Sequence, residues 1–213
     1  MKKTKAEALQ TREALLLSAL NTFYENGVAQ TSLNQIASNA GVTRGAFYWH
    51  FRNKEDLFEA LFAWLCQEAL NNFQHDLARN AEESQGLRNA LINALCRLQN
   101  DEKHEKFCTV LHLKCEHTAN NQAINTISAH YHKLWDKLIE QAIAHDIAHG
   151  FLPSTLNPSL AKHFLHANIF GLIDRWLRYR DEVGSLANIA PVFIDATLAA
   201  LHTPHLQLNT SPN

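Results

Sequence analysis

The chain has 213 residues, of which 46% are hydrophobic and 19% charged, with a formal net charge of −2. That balance supports a packed core and excludes a disordered chain. Alanine and leucine total 58 against 16 valine and isoleucine, and no proline precedes Pro153; sheets need β-branched strands and frequent turn residues, so the fold is read as all-α.

A first helix is predicted over about Lys5–Asn26. Thr4 and Glu7 have capping-box spacing, Leu9, Leu16, Leu20 and Phe23 share a face, and Gly27 can end the helix. Ser32-Leu33-Asn34-Gln35 repeats the capping spacing and starts a short helix with Leu33, Ile36, Ala37 and Ala40 inward. Gly41 permits a tight turn, Val42 fills the corner, and Thr43 caps a third helix ending near His50. Two short helices joined by a glycine-containing turn read as a helix-turn-helix. Asn53 and Asp56 restart the chain as a fourth helix carrying Leu57, Leu61 and Leu65 beside Phe58 and Phe62.

Longer helices follow. One begins at Gly86 and carries Leu87, Leu91, Leu95 and Leu98; another covers about Glu102–His117. A long helix over about Asn121–His149 carries two stripes, one from Ile124 to Leu138 and one from Trp135 to Ile147, so it is buried on more than one side. Asn157-Pro158 caps and starts a helix to about Arg180. The last helix occupies about Ser185–His202, its start blurred by Pro191, and 203–213 is expected as a disordered tail.

Residues 1–54 hold seven Lys/Arg against three Asp/Glu, while 55–213 hold twelve against eighteen. A basic module on an acidic body suggests that one end meets a polyanion. No apolar run is long enough to span a bilayer, and Met1–Glu7 leads into a polar helix without a signal region, so a cytoplasmic protein is expected. Cys66, Cys96, Cys108 and Cys115 form no CxxC pair and read as reduced core thiols. The thirteen histidines include His145/His149 and His163/His166 at helical spacing, but no HExxH-type glutamate accompanies them. They read as solvent-facing, with no metal and no cofactor. With no nucleophile elbow, phosphate loop or acid–base pair, an enzyme is not expected.

Function concentrates in Thr43-Arg44-Gly45-Ala46-Phe47-Tyr48-Trp49-His50-Phe51-Arg52-Asn53-Lys54-Glu55-Asp56-Leu57, preceded by Thr31-Ser32-Leu33 and Ile36-Ala37. This stretch closely resembles the DNA-binding signature of the TetR family of bacterial repressors. The run Lys-Cys-Glu-His-Thr at 114–118 and the pattern Gly171-Leu172-Ile173-x-Arg175-Trp176 resemble the MtrR/AcrR-type repressors of multidrug efflux pumps.

The chemistry of the motif can be read directly. A recognition helix brings its first turn to base edges in the major groove. Gly45 lets the backbone approach, Arg44 can reach guanine O6 and N7 in bidentate fashion, and Thr43 can meet a phosphate or a thymine methyl. Tyr48 and Trp49 lie one turn on, against the sugar-phosphate wall. Lys54 heads the fourth helix, where its charge and free N–H groups favour a phosphate, and Thr31 and Ser32 offer the same chemistry across the groove. His50 either packs between helices or touches phosphate. Ala46, Phe47 and Phe51 read as core.

The resemblance implies a DNA-binding domain at 1–55 and a ligand-binding and dimerisation domain at 56–202, with the last two helices forming a four-helix seam across a two-fold axis. Gly171, Ala196, Ala199 and Ala200 suit such a seam, although close packing within one subunit explains them equally. An inducer pocket is expected near Trp135, Phe170, Asp174 and Arg175, with Trp135 as a wall and Arg175 pairing an anionic group. Asp174 either contributes a charge to that pocket or pairs with Arg178 on the surface. Cys66 either lines the pocket floor or is a structural thiol. The expected function is a homodimeric repressor that binds double-stranded operator DNA and is released by a small inducer. The alternative is a regulator of metabolic or stress genes with a different effector.

Overall fold

The computed structural model describes residues 4–79, 85–115 and 122–207, apart from the side chain of Ala123. Every regular element among them is helical: α1 (Lys5–Asn26), α2 (Leu33–Asn39), α3 (Arg44–His50), α4 (Lys54–Arg79), α5 (Gly86–Asn100), α6 (Glu102–Thr109), α7 (Gln122–Ala148), α8 (Pro158–Arg178), α9 (Arg180–Val183) and α10 (Leu186–Ala200). Two compact units emerge, one from 1–68 and 101–130, the other from 69–100 and 131–213.

In the first unit the helix starts follow from local chemistry. Thr4 accepts from Glu7 N–H while Glu7 accepts from Thr4 N–H, and Ser32 and Gln35 repeat that box at α2. Each such cap is worth about 1 kcal/mol. Leu15, Leu16, Leu20 and Phe23 of α1 are buried against this unit's core, and Ser18 Oγ donates to Ile36 O at 2.8 Å, tying α1 to α2. Leu9, expected on the inner face, is 60% exposed. Phe58 stacks on Phe62 at 4.2 Å, and Phe62 meets Phe107 of α6 edge-on at 4.8 Å. Burying each ring contributes roughly 1.5–3 kcal/mol. Lys106 Nζ donates to Asn21 Oδ1 at 2.9 Å, holding α6 to α1.

The helix expected to reach His117 stops earlier. α6 ends at Thr109 and continues as a π-helical turn, Val110–Lys114, whose last carbonyl accepts from Val28 N–H at 3.3 Å. Residues 116–118 of the Lys-Cys-Glu-His-Thr run, and Asn121, lie outside the described residues.

In the second unit α10 packs on α5. Arg88 grips Asp195 through two hydrogen bonds, Nη2 to Oδ2 at 2.9 Å and Nε to Oδ1, and Gln99 Oε1 accepts from Leu186 N–H at the start of α10. Pro191 sits inside α10 rather than before it. Asn157 caps α8 with Pro158 at its first turn, as the sequence predicts. The segment expected as tail is partly structured: Pro204–Leu206 form a 3-10 turn, Gln207 bridges Leu156, and Asn157 N–H donates to Leu206 O at 2.9 Å. Residues 208–213 lie outside the description. No described helix is long and apolar enough to cross a membrane.

Candidate nucleic-acid interface

α2 and α3 meet through a turn that only glycine adopts easily, Gly41 at φ +66°. Thr43 Oγ1 then accepts from Ala46 N–H at 3.1 Å and starts α3. The helix is two-faced. Phe47 is fully buried, 5.8 Å from the Phe51 ring, while Arg44, Gly45, Tyr48 and Trp49 face solvent. Trp49 is 71% exposed and Tyr48 45%.

Arg44 and Tyr48 lie together one turn apart. Arg44 Nη2 donates to Tyr48 Oη at 3.3 Å, with the guanidinium carbon 5.5 Å from the ring centre. This leaves the first turn of α3 with an extended planar cation and a phenol at one edge. A Cβ built on Gly45 meets only Thr43 Oγ1, at an ordinary 3.8 Å. No contact inside the chain therefore requires a glycine there. His50 is half-buried, edge-on to Trp49 at 4.7 Å and 6.3 Å from Phe51. Ser32 is exposed within its capping box.

Two residues depart from their expected roles. Thr31 is 3% exposed, its hydroxyl donating inward to Gly27 O at 2.7 Å. Lys54 Nζ donates to three carbonyls, Val28 at 2.9 Å, Ala29 at 3.2 Å and Thr31 at 3.2 Å. Its ammonium thereby ties the loop between α1 and α2 to the first turn of α4. Sequence reasoning missed this because the acceptors are backbone atoms, which leave no residue signature. It also missed a clasp beside α3: Asp56 accepts from Arg52 N–H at 2.9 Å and meets the Arg52 guanidinium, and the backbone hydrogen bond first, then the side-chain one, hold the Asp56 carboxyl below the ordinary aspartate value.

The five expected ligand residues fall in both units. Cys66 belongs to the first unit and is buried, which drives its thiol far above the ordinary value. In the second unit Trp135 meets Phe73 edge-on at 5.4 Å, and Phe170 stacks on His166 at 4.1 Å. Asp174 pairs with Arg178 at 2.9 Å, and Arg175 with Glu182 at 3.0 Å, all four substantially exposed. Of the two roles open to Asp174, the structure has the surface pair. A cavity of about 280 Å³ lies elsewhere in this unit, between the end of α4, the start of α5 and the last turns of α7, and none of the five lines it.

Comparison with known proteins agrees with this architecture. Residues 15–61 match the family described as bacterial regulatory proteins, tetR family, and residues 83–203 match the C-terminal region of MAATS-type transcriptional repressors. The chain is 35% identical over 195 residues to the probable HTH-type transcriptional regulator ArpR of Pseudomonas putida, covering 89% of this chain and 90% of ArpR. The crystal structure of NalD, the secondary repressor of the MexAB-OprM multidrug efflux pump in Pseudomonas aeruginosa, aligns with a TM-score of 0.77 and 30% identity over 93% of this chain and 98% of its own. SmeT, the repressor of the Stenotrophomonas maltophilia multidrug efflux pump SmeDEF, is similar in its complex with triclosan: TM-score 0.78 and 27% identity over 96% and 98% of the two chains.

Proposed function

The chain belongs to the TetR family of bacterial transcriptional regulators, and from that premise we propose that it is a homodimeric repressor of a multidrug efflux system. It binds a palindromic operator through residues 1–55 and is released when a small hydrophobic or amphipathic inducer binds the body at 56–202. The observation that carries this reading is the outward face of α3, where Arg44, Tyr48 and Trp49 stand exposed around a glycine that no internal contact demands.

In this reading Arg44 reads a guanine edge, Thr43 and Ser32 meet phosphates, and Tyr48, Trp49 and His50 line the backbone wall. Lys54 acts as a positioning residue for the loop it binds. The outer faces of α8 and α10 supply a two-fold seam: Gly171, Ala196 and Ala199 are exposed there, and Val192 is 71% exposed. Small and apolar residues on adjacent helices allow close approach to a second copy. The efflux role rests on NalD and SmeT, which repress such pumps, and the inducer on SmeT's complex with triclosan.

Selection of bound duplexes from a random pool tests the reading. Recovery of a palindrome with half-sites about one helical turn apart is expected. A pool that stays random through the rounds overturns it.

A further inference from the structure

The cavity of the second unit has apolar walls, Leu77, Leu87, Leu138 and Ala142, with the amide side chains of Gln74 and Gln141 at its edge. Among its lining residues is one carboxylate. Asp146 is 8% exposed, sits in the last turn of α7, and among the described residues has a single side-chain hydrogen bond, with the Nδ1 of its neighbour His145 at 3.2 Å. That placement is unfavourable twice over. A carboxylate loses hydration on burial, and the C-terminal end of a helix repels negative charge. Burial accordingly pushes the Asp146 carboxyl above the ordinary aspartate value, with His145 and then His149 pulling against it. His145 and His149 are themselves stacked at 4.1 Å, and His149 Nδ1 is taken by the carbonyl of His145.

The fold uses the backbone of Asp146, whose carbonyl accepts from the N–H groups of Phe151 and Leu152 and turns the chain. Any residue supplies that carbonyl. The side chain needs another reason, and an apolar cavity that opens on a nearly buried anion offers one. A cation entering it recovers the electrostatic stabilisation that Asp146 lost on leaving water, in a medium where charge-assisted hydrogen bonds are strong.

We propose that this cavity is a binding site for small amphipathic organic cations, with an ammonium or amidinium group on the Asp146 carboxylate and its hydrocarbon between Leu77, Leu87 and Leu138. About 280 Å³ lies near the small end of ligand pockets, which suits a single aromatic ring on a short alkyl chain. Gln74 and Gln141 offer carbonyl acceptors for the remaining N–H groups of such a cation. The inference rests on the proposed function only in treating this ligand as an inducer; the site itself does not depend on it.

The test is calorimetric titration of the full chain with 4-phenylbutylammonium and with the isosteric neutral alcohol, 4-phenylbutan-1-ol. The amine is expected to bind about tenfold to a hundredfold more tightly than the alcohol. Asp146→Asn brings the amine to the affinity of the alcohol and leaves the alcohol unchanged. Leu138→Trp, which adds bulk to the cavity two turns before Asp146 on α7, is expected to abolish binding of both. Equal affinities of amine and alcohol for the parent overturn the proposal, as does undiminished amine binding by Asp146→Asn. Thermal melting of each variant verifies folding, and Asp146→Ala replaces the asparagine variant if that one does not fold. Operator binding with and without the amine separates the two readings. An amine that binds through Asp146 and leaves operator affinity unchanged upholds the site and removes the inducer role. A protein that selects a palindrome and does not bind the amine loses the site and keeps the repressor reading.

Discussion

Lys54 Nζ donates to the carbonyl oxygen of Val28 at 2.9 Å, and the same ammonium serves Ala29 and Thr31 at 3.2 Å. These carbonyls belong to the loop that delivers α2, and with it the turn into α3. Removing the ammonium leaves partly buried acceptors without a donor, at a cost of about 1–3 kcal/mol. Lys54→Ala is therefore expected to melt some degrees lower, at roughly 2–4 °C per kcal/mol for a chain of this size. Operator affinity falls for every sequence alike because the recognition helix is less firmly held, while the salt dependence keeps its slope. Thermal melting and binding across a salt series check both halves. An unchanged melting point with a shallower slope returns Lys54 to a phosphate contact.

Asp56 gives a pH signature at the same corner. Its carboxyl accepts from Arg52 N–H and meets the Arg52 guanidinium, and both hold it below the ordinary aspartate value. A depressed folded-state value means that the contribution is complete above the unfolded value of about 3.9 and is lost as pH falls through the folded one. The parent is expected to exceed Asp56→Asn in stability at neutral pH, with the difference shrinking as acid protonates the carboxylate. Urea unfolding of both proteins at neutral and strongly acidic pH measures this. A difference that stays constant across that range excludes the ionised clasp as its source.

Arg44 carries the base reading in the proposed complex. Arg44→Ala is expected to lose about 1–3 kcal/mol of specific binding and to relax preference at one base pair per half-site. Arg44→Lys should not restore that preference, since an ammonium lacks the planar fork. Duplex selection repeated with each variant checks this, and an unaltered preferred site moves the reading head away from Arg44.

The contrast among Thr31, Lys54 and Ser32 shows what a sequence reveals of such a site. Capping boxes are legible because donor and acceptor are three residues apart and both have recognisable side chains, so the starts of α1 and α2 could be placed to the residue. The chemistry of Thr31 and Lys54 suits a groove, yet their partners are backbone carbonyls of Gly27, Val28 and Ala29. Every residue has such a carbonyl, so no letter announces it. Leu9 has core spacing but precedes the stretch from Thr11 to Phe23 that holds the buried residues of α1. The cavity beside Asp146 depends on where three helices converge, a property that periodicity along one helix does not contain.

The seam proposed for the dimer is open to a direct measurement. Val192 and Ala199 are exposed on α10, so a charge there is tolerated by the isolated subunit and not by a packed two-fold interface. Val192→Asp and Ala199→Asp are each expected to sediment as folded monomers and to lose operator binding, because one recognition helix alone spans half a palindrome. Dimers that persist in both variants place the interface on another face.

Gly45 offers a way to separate binding from stability. It lies in the first turn of α3, and its added Cβ would meet only Thr43 Oγ1 at 3.8 Å. Alanine is the better helix former by about 1 kcal/mol, so Gly45→Ala is expected to fold as well as the parent and to melt at or slightly above its temperature. In the proposed complex the same methyl would stand between the helix backbone and the groove wall that Arg44 and Thr43 reach. Operator affinity is accordingly expected to fall roughly tenfold or more, which is about 1.4 kcal/mol. A stability gain with a binding loss has one economical explanation, that the backbone at Gly45 approaches a partner closely. Melting curves and operator titrations on one preparation decide it, and parent-like affinity in Gly45→Ala rules out the first turn of α3 as the surface that meets the bases.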